Sequence, residues 1–431
     1  MSYLDRLRQF KLIEAQQQPL RASVIDQTHP GSLLRDLATF LAFVDEVAPQ
    51  VTGTHLLPLK VLEPLNARLS EPLRHGLSRP QQKSFPHING LFWLARATGL
   101  TTIDGTSKKP RLLLDATTMA SWQTLNPTEQ YCTLLESWTL RAPSSIIGER
   151  DAFGWNRVVE YWDMFFQRVP DEGLAVAGNT DLEQSLSYFP AYHNLALLEL
   201  FGLIYVQQGA AVAGKGWRIQ RVQRTPLGDA LLILMRAFVY GDPKDRQADN
   251  SFFGGTLFAR YGRASEVPIG VLQPILQPYF PAWQHNLVLA GTDFQDGFYI
   301  FKVALGKTLW RRIAIPGQAF LEELSDAILA AYEFDHDHLY QFIYINRFGG
   351  EDEVHHPYLE EPPFTTEVRV GDLPLRPGGT MIYHYDFGDD WRFVVTLEQI
   401  DPAPARQKKA KVLEKAGAAP DQYPTWDEGE D

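Results

Sequence analysis

Apolar residues recur at three- and four-residue intervals near the start of the chain. Leu33, Leu34, Leu37, Phe40, Leu41 and Val44 mark one face of a helix, with Ser32 at its N-cap position. A Pro- and Leu-rich stretch that reads as loop follows to about Pro80. A longer pattern then appears twice. Phe85-Pro86 opens an apolar helical run ending at Gly99-Leu100, and Phe189-Pro190 opens a second of nearly equal length ending at Gly202-Leu203, which suggests an internal duplication. Each run leads into a strand-like segment, a polar or Gly-rich tip and a second strand-like segment. In the first copy the tip runs from Asp104 to Pro110 and precedes Arg111–Leu114; in the second it passes through Gly209, Gly214 and Gly216 to Trp217–Val222. Asn126-Pro127 and Thr225-Pro226 then supply an N-cap followed by a proline at the first helical position. Helix, strand, wing, strand, helix predicts tandem winged-helix-like units over residues 81–180 and 181–240, after a helical N-terminal region at 1–80.

The pattern changes beyond Tyr240. Gly, Pro and Gln interleaved with aromatic residues predict an ordered connector over 241–292, because a flexible linker would carry fewer aromatics. From 293 to 431 the alternation of Tyr299, Phe301, Val303 and Leu305 predicts a strand, and Leu321, Leu324, Ile328 and Leu329 form a helical stripe. Tyr340–Asn346 and Trp391–Ile400 predict further strands. The expected class is α+β and multi-domain, ending in a domain with a mainly antiparallel sheet and an acidic tail.

Five segments of that last domain carry a family resemblance. They are Tyr299–Leu305, then Leu309-Trp310-Arg311-Arg312-Ile313, a helical stretch from Phe320 to Ala331, Asp335-His336-Asp337-His338 leading into Leu339–Phe342, and Tyr385-Asp386-Phe387-Gly388-Asp389-Asp390-Trp391. In this order and spacing the last third of the chain resembles the plasmid pRiA-four-b Orf-three-like domain family, labelled a passenger protein in some insertion elements. The resemblance implies a fold and a mobile-element setting, and no reaction. Two positions depart from the family pattern: Phe393 stands where a histidine is usual, and the tail Ala418–Pro424 has no cysteine.

Charge divides unevenly. Up to Ala290 the chain carries 27 Lys and Arg against 26 Asp and Glu, and the remainder 13 against 26, so charges of +1 and −13 make up the net −12 and the last domain is the acidic one. An acidic domain repels a phosphate backbone, which leaves the first two thirds as the place for duplex DNA contact. The DNA-binding candidates are Lys108, Lys109 and Arg111 on the first hairpin and Lys215, Arg218, Arg221 and Arg224 on the second. The competing reading is that these cations only solvate edge strands, and the helices before the hairpins are poor in polar donors. The single cysteine, Cys132, excludes a disulfide framework and a thiolate metal cluster. No membrane span and no signal peptide are visible, so a cytoplasmic location is expected.

Candidate chemistry concentrates in the last domain. Asp386, Asp389 and Asp390 repel one another unless backbone donors, a cation or water compensate them. With His338 they are the candidate catalytic set; His336, His338 and Asp389 are candidate ligands for a divalent metal, given that the two loops meet and that a strand starting early puts both histidines on one face. No other cofactor is expected. The alternative is that the aspartates accept backbone hydrogen bonds in a turn opened by Gly388, with Trp310 in the core and Arg311 and Arg312 pairing with the acidic loop between Tyr385 and Trp391, Arg312 with Asp389 first. No Walker loop, dinucleotide fingerprint, nucleophile elbow or zinc-protease helix occurs. The expected function is therefore a non-catalytic interaction or regulatory protein with a protein partner and duplex DNA contact through its hairpins. Metal-assisted hydrolysis is the alternative.

Overall fold

The structure, a computed structural model, describes residues 12–104, 109–142, 157–240, 267–289, 294–346, 351–360, 362–402 and 409–423. They form two compact units: described residues 12–103 and 111–289 make the first, and those from 294 onward, together with 104, 109 and 110, make the second. Lys108 lies outside the described residues. The class is α+β, and every strand pairing described within the two larger sheets is antiparallel.

In the first unit the order helix, strand, strand, helix occurs twice. Pro86–Ala97 is followed by β1 (Thr101–Asp104), β2 (Arg111–Leu114) and the helix Ala116–Trp122. Tyr192–Leu200 is followed by β4 (Ile204–Gln208), β5 (Ile219–Arg224) and the helix Pro226–Tyr240. The copies differ in their sheets: β1 and β2 form a two-stranded ribbon, whereas β3 (Leu174–Ala175) joins β5 and β4. The tip of the second hairpin is tied down by Gly76, whose N–H donates to Lys215 O at 2.9 Å and whose carbonyl accepts from Gly214 N at 2.8 Å. Only glycine fits there, since a Cβ would lie 2.0 Å from the Val212 carbonyl oxygen.

Local signals place several ends of elements. Asn126 accepts from Glu129 N while Glu129 accepts from Asn126 N, a reciprocal capping box, and Thr225 Oγ1 accepts from Gly228 N. The loop expected before Pro80 contains a helix, Leu59–Asn66, despite Pro64 inside it. Burial of Val61, Leu62 and Leu65 on one face outweighs the low helix propensity of a proline. The segment 267–289 packs into the core of this unit, with Trp283 fully buried. Two buried glutamates of the helix Pro127–Glu136 hold it. Glu136 accepts from Gly270 N at 2.8 Å and Leu272 N at 2.6 Å, and Glu129 accepts from Gln284 N and His285 N at 3.0 and 2.7 Å.

The second unit is a seven-stranded sheet in the order β12-β7-β6-β11-β10-β8-β9. Its strands are β6 (Phe298–Leu305), β7 (Leu309–Pro316), β8 (Tyr340–Ile345), β9 (Glu351–His355), β10 (Thr380–Tyr385), β11 (Trp391–Asp401) and β12 (Lys411–Ala416). The helix Leu321–Tyr332 buries Leu321, Leu324, Ile328 and Leu329 in one core with Phe301, Val303, Ile313, Tyr383 and Phe393.

Strand alternation decides what the Trp310-Arg311-Arg312 segment does, and it differs from the expectation. Arg311 shares the inner face with Ile313 and Ile315 and is 3% exposed. Its guanidinium lies 4.6 Å from the Tyr332 ring centroid and donates to Ala331 O, Ala416 O and Gly417 O at 2.8, 2.9 and 3.2 Å. Trp310 is not a core residue: half-buried on the other face, it lies under Lys302 Nζ and the Arg312 guanidinium, 5.0 and 5.5 Å from its ring centroid. Arg312 does not meet Asp389. It pairs with Glu398 at 2.6 Å and Glu414 at 2.5 Å, because β12 flanks it on one side and a bulge in β11 after Leu397 brings Glu398 within reach.

The two arginines predict opposite mutational costs. Arg311→Met removes the charged donor that bonds Ala331 O in the last turn of a helix and Ala416 O and Gly417 O at the end of β12, so a loss of about 2–3 kcal/mol is expected. Arg312→Ala breaks partly exposed ion pairs and is expected to cost at most about 1 kcal/mol. Urea unfolding of the full chain measures both; equal costs would contradict the assignment of faces.

Candidate functional site

The loop of residues 386–390 closes a hairpin whose strands pair from Thr380↔Thr396 to Tyr385↔Trp391. Its backbone turns at two aspartates: Asp386 and Asp390 have φ of 51° and 53°. Aspartate tolerates this left-handed conformation because its short side chain bonds to nearby backbone. Asp386 Oδ1 accepts from Gly388 N at 2.9 Å and from Asp389 N at 3.4 Å, Asp390 N donates to Asp386 O at 2.7 Å, and Asp386 N donates to Leu339 O at 3.0 Å. Gly388 is therefore not the residue that opens the turn. A Cβ there would meet only the Asp386 carboxylate, at 3.3 Å.

Asp386 is buried, and its second oxygen faces His338, with Oδ2 3.4 Å from Nε2. The same nitrogen lies 3.4 Å from Asp337 Oδ1 and 3.1 Å from the Tyr423 hydroxyl. Tyr423 donates toward both Asp337 oxygens, at 3.0 and 3.1 Å. Desolvation opposes it, but hydrogen bonds led by Tyr423 hold the Asp337 carboxyl below its usual range, while desolvation and Asp337 push the Tyr423 phenol up to about 12. Beside them Gln422, 7% exposed, accepts from Asp335 N at 2.6 Å and donates to Tyr423 Oη at 2.8 Å. Tyr385 donates to Asp335 O at 2.6 Å. The tail thus contributes two residues to the cluster, a contribution that no motif in the sequence announces.

The remaining candidates separate. His336 and His338 do not lie on a strand, since β8 begins at Tyr340, and His336 lies 3.2 Å from Asp326 rather than beside His338. Asp390 is 2.8 Å from both Arg392 Nε and His384 Nε2. Its hydrogen bond with Arg392 chiefly lowers the Asp390 pKa, and burial chiefly lowers that of His384. Asp389 is exposed at the tip beside Phe387, which is 41% exposed. Trp391 packs edge-on to Phe334 at 5.0 Å. The three candidate metal ligands are not brought together, and among the described residues no group of three His, Cys, Asp or Glu side chains is disposed to hold a metal ion.

On the two hairpins, most of the basic residues are engaged locally. Arg218 makes two bonds to Glu183, at 2.5 and 2.7 Å. Arg224 pairs with Asp171 and, at 3.5 Å, Asp229; Arg221 donates to Glu172 O; Arg111 donates to Ala48 O at 2.7 Å. Lys109 and Lys215 are exposed.

The sheet, its helix, the 386–390 loop and Gln422 of the tail fall within one recognisable span. Residues 298–422 match the family described as plasmid pRiA4b ORF-3-like protein. The pRiA4b ORF-3-like region begins with β6 and ends at Gln422, so it includes the Asp386–His338 contact and leaves out Tyr423. Among solved structures, the crystal structure of a protein of unknown function, MM3350 from Methanosarcina mazei Go1, is 25% identical, covering 29% of this chain and 71% of that one, with a TM-score of 0.27. No curated protein matches.

The loop geometry predicts which substitutions hurt. Asp386→Ala loses the bonds to the loop amides and retains a strained backbone, with an expected cost of about 1–3 kcal/mol. Asp386→Asn keeps an acceptor and tolerates the conformation, and Gly388→Ala should cost under about 1 kcal/mol. A ranking by urea denaturation in which Gly388→Ala is worst would overturn this description.

Proposed function

We propose that the protein works by binding, as an interaction or regulatory protein of a mobile element, and that the 386–390 loop is the recognition element of its pRiA4b ORF-3-like region. The observation that carries this reading is the division of labour within the loop. Asp386 is committed to the loop's own amides and Asp390 to Arg392 and His384, while Phe387 and Asp389 project from a backbone fixed at both ends. A rigid tip bearing one aromatic and one carboxylate suits a protein surface with an apolar recess next to a cation, and its order in advance lowers the entropic cost of association. The plasmid in the family description supports the mobile-element setting. Metal-assisted hydrolysis is the weaker reading because the candidate ligands lie apart.

The reading predicts that Phe387→Ala and Asp389→Lys leave the melting temperature within about 2 °C of wild type and together abolish capture of the partner retained by wild-type protein. Capture that survives the double variant would place recognition elsewhere. Duplex DNA contact, for its part, is left to Lys109 and Lys215, since the hairpin arginines are engaged with acids or carbonyls. Two exposed lysines support only weak, shallow salt dependence. A titration at 50 and 200 mM salt is expected to show no tight binding, and a steep loss of strong binding between them would restore the winged-helix DNA reading.

A further inference from the structure

We propose that Arg96 anchors an anion-binding site in the first unit, one that takes a small carboxylate or phosphate group beside the Thr52–His55 loop. Arg96 sits in the last turn of the Pro86–Ala97 helix, 4% exposed, and its Nη1 is fully buried without a hydrogen-bond partner. Among the described residues no carboxylate pairs with it. Other arginines of similar burial have an acceptor at the guanidinium tip: Arg141 Nη1 donates to Val267 O, and Arg311 has its carbonyls and the Tyr332 ring. A buried charge without a counter-charge or acceptors is costly, and burial alone lowers the Arg96 pKa to about 10. The planar fork of a guanidinium matches the two oxygens of a carboxylate or phosphate.

The surroundings carry two further signs. Partial desolvation first and the Arg96 charge second lower the His55 pKa, which places His55 within electrostatic reach of the guanidinium. His55 is in the left-handed region, φ 58°, in a loop closed on itself by Thr52 N to Leu56 O at 2.8 Å and His55 N to Thr52 O at 2.9 Å. The loop presents the paired hydroxyls of Thr52 and Thr54, 3.1 Å apart, and a Cβ on Gly53 would meet nothing within 4 Å.

The test uses the full chain, with inorganic phosphate and acetate as separate probes at matched ionic strength, read by thermal shift and calorimetry. One of the two is expected to raise the wild-type melting temperature saturably, by about 2–4 °C, which also tells phosphate from carboxylate. Arg96→Met should melt no lower than wild type without the anion, because it removes an unpaired buried charge, and should lose the shift entirely. Arg96→Lys keeps the charge without the fork and should weaken binding about tenfold or more; it decides the matter should Arg96→Met fail to fold. No shift with either anion up to about 20 mM, or an undiminished shift in the folded variants, would overturn the site.

Discussion

Arg311 takes a full positive charge into the core of the second unit, and what offsets its desolvation is a set of backbone carbonyls and the face of Tyr332. The carbonyl of Ala331 belongs to the last turn of a helix, where the helix dipole favours a cation. Those of Ala416 and Gly417 belong to the end of the edge strand. One side chain therefore joins the helix that covers the sheet to the strand that bounds it. From Gly417 the chain runs on to Gln422 and Tyr423, so the cluster at His338 inherits its tail residues from the place where Arg311 fixes the end of β12.

That cluster and the 386–390 loop share Asp386, which faces the loop amides with one oxygen and His338 with the other. The carboxylate therefore has a structural task before any chemical one, and a proton arriving on it would weaken the loop as well as the His338 contact. This favours a recognition role for the exposed tip over a catalytic role for the buried group. A catalytic carboxylate must change its charge or bonding during turnover, and here such a change would loosen the turn that positions it.

Much of this architecture is legible from the chain. Alternation in Tyr299–Leu305, the stripe of Leu321, Leu324 and Ile328, and the caps at Asn126 and Thr225 are local signals, and local signals survive folding when tertiary packing agrees with them. The strand of Arg311 and Arg312 is equally plain, but their partners are not. Which arginine faces inward depends on register, and the reach of Arg312 to Glu398 depends on a bulge in β11, a feature with no sequence mark here. Gly388 drew attention as the natural site of a left-handed turn, whereas two aspartates occupy that conformation, because side-chain bonds to the backbone substitute for the freedom that glycine has. The Leu59–Asn66 helix is hidden by Pro64, and the Gln422–Tyr423 clamp by its distance along the chain from every residue it touches.

Buried charge is handled in both units by the same device, which is main-chain hydrogen bonding rather than pairing of opposite charges. Arg311 is met by carbonyls, Asp386 by amides, and Glu129 and Glu136 by the amides of a segment more than 130 residues away in sequence. The device is not cost-free: burial lifts the Glu136 pKa to about 7 even against the amides of Leu272 and Gly270, while Glu129, where desolvation is outweighed by the amides of Asn126, His285 and Gln284, stays below its usual range. Main-chain groups cannot be moved without moving the fold, so a charge met this way fixes the path of the segment that meets it. That accounts for how residues 267–289, rich in Pro and Gln, become part of a core. It also marks what is different about Arg96, a buried charge that no stretch of backbone has been routed to meet.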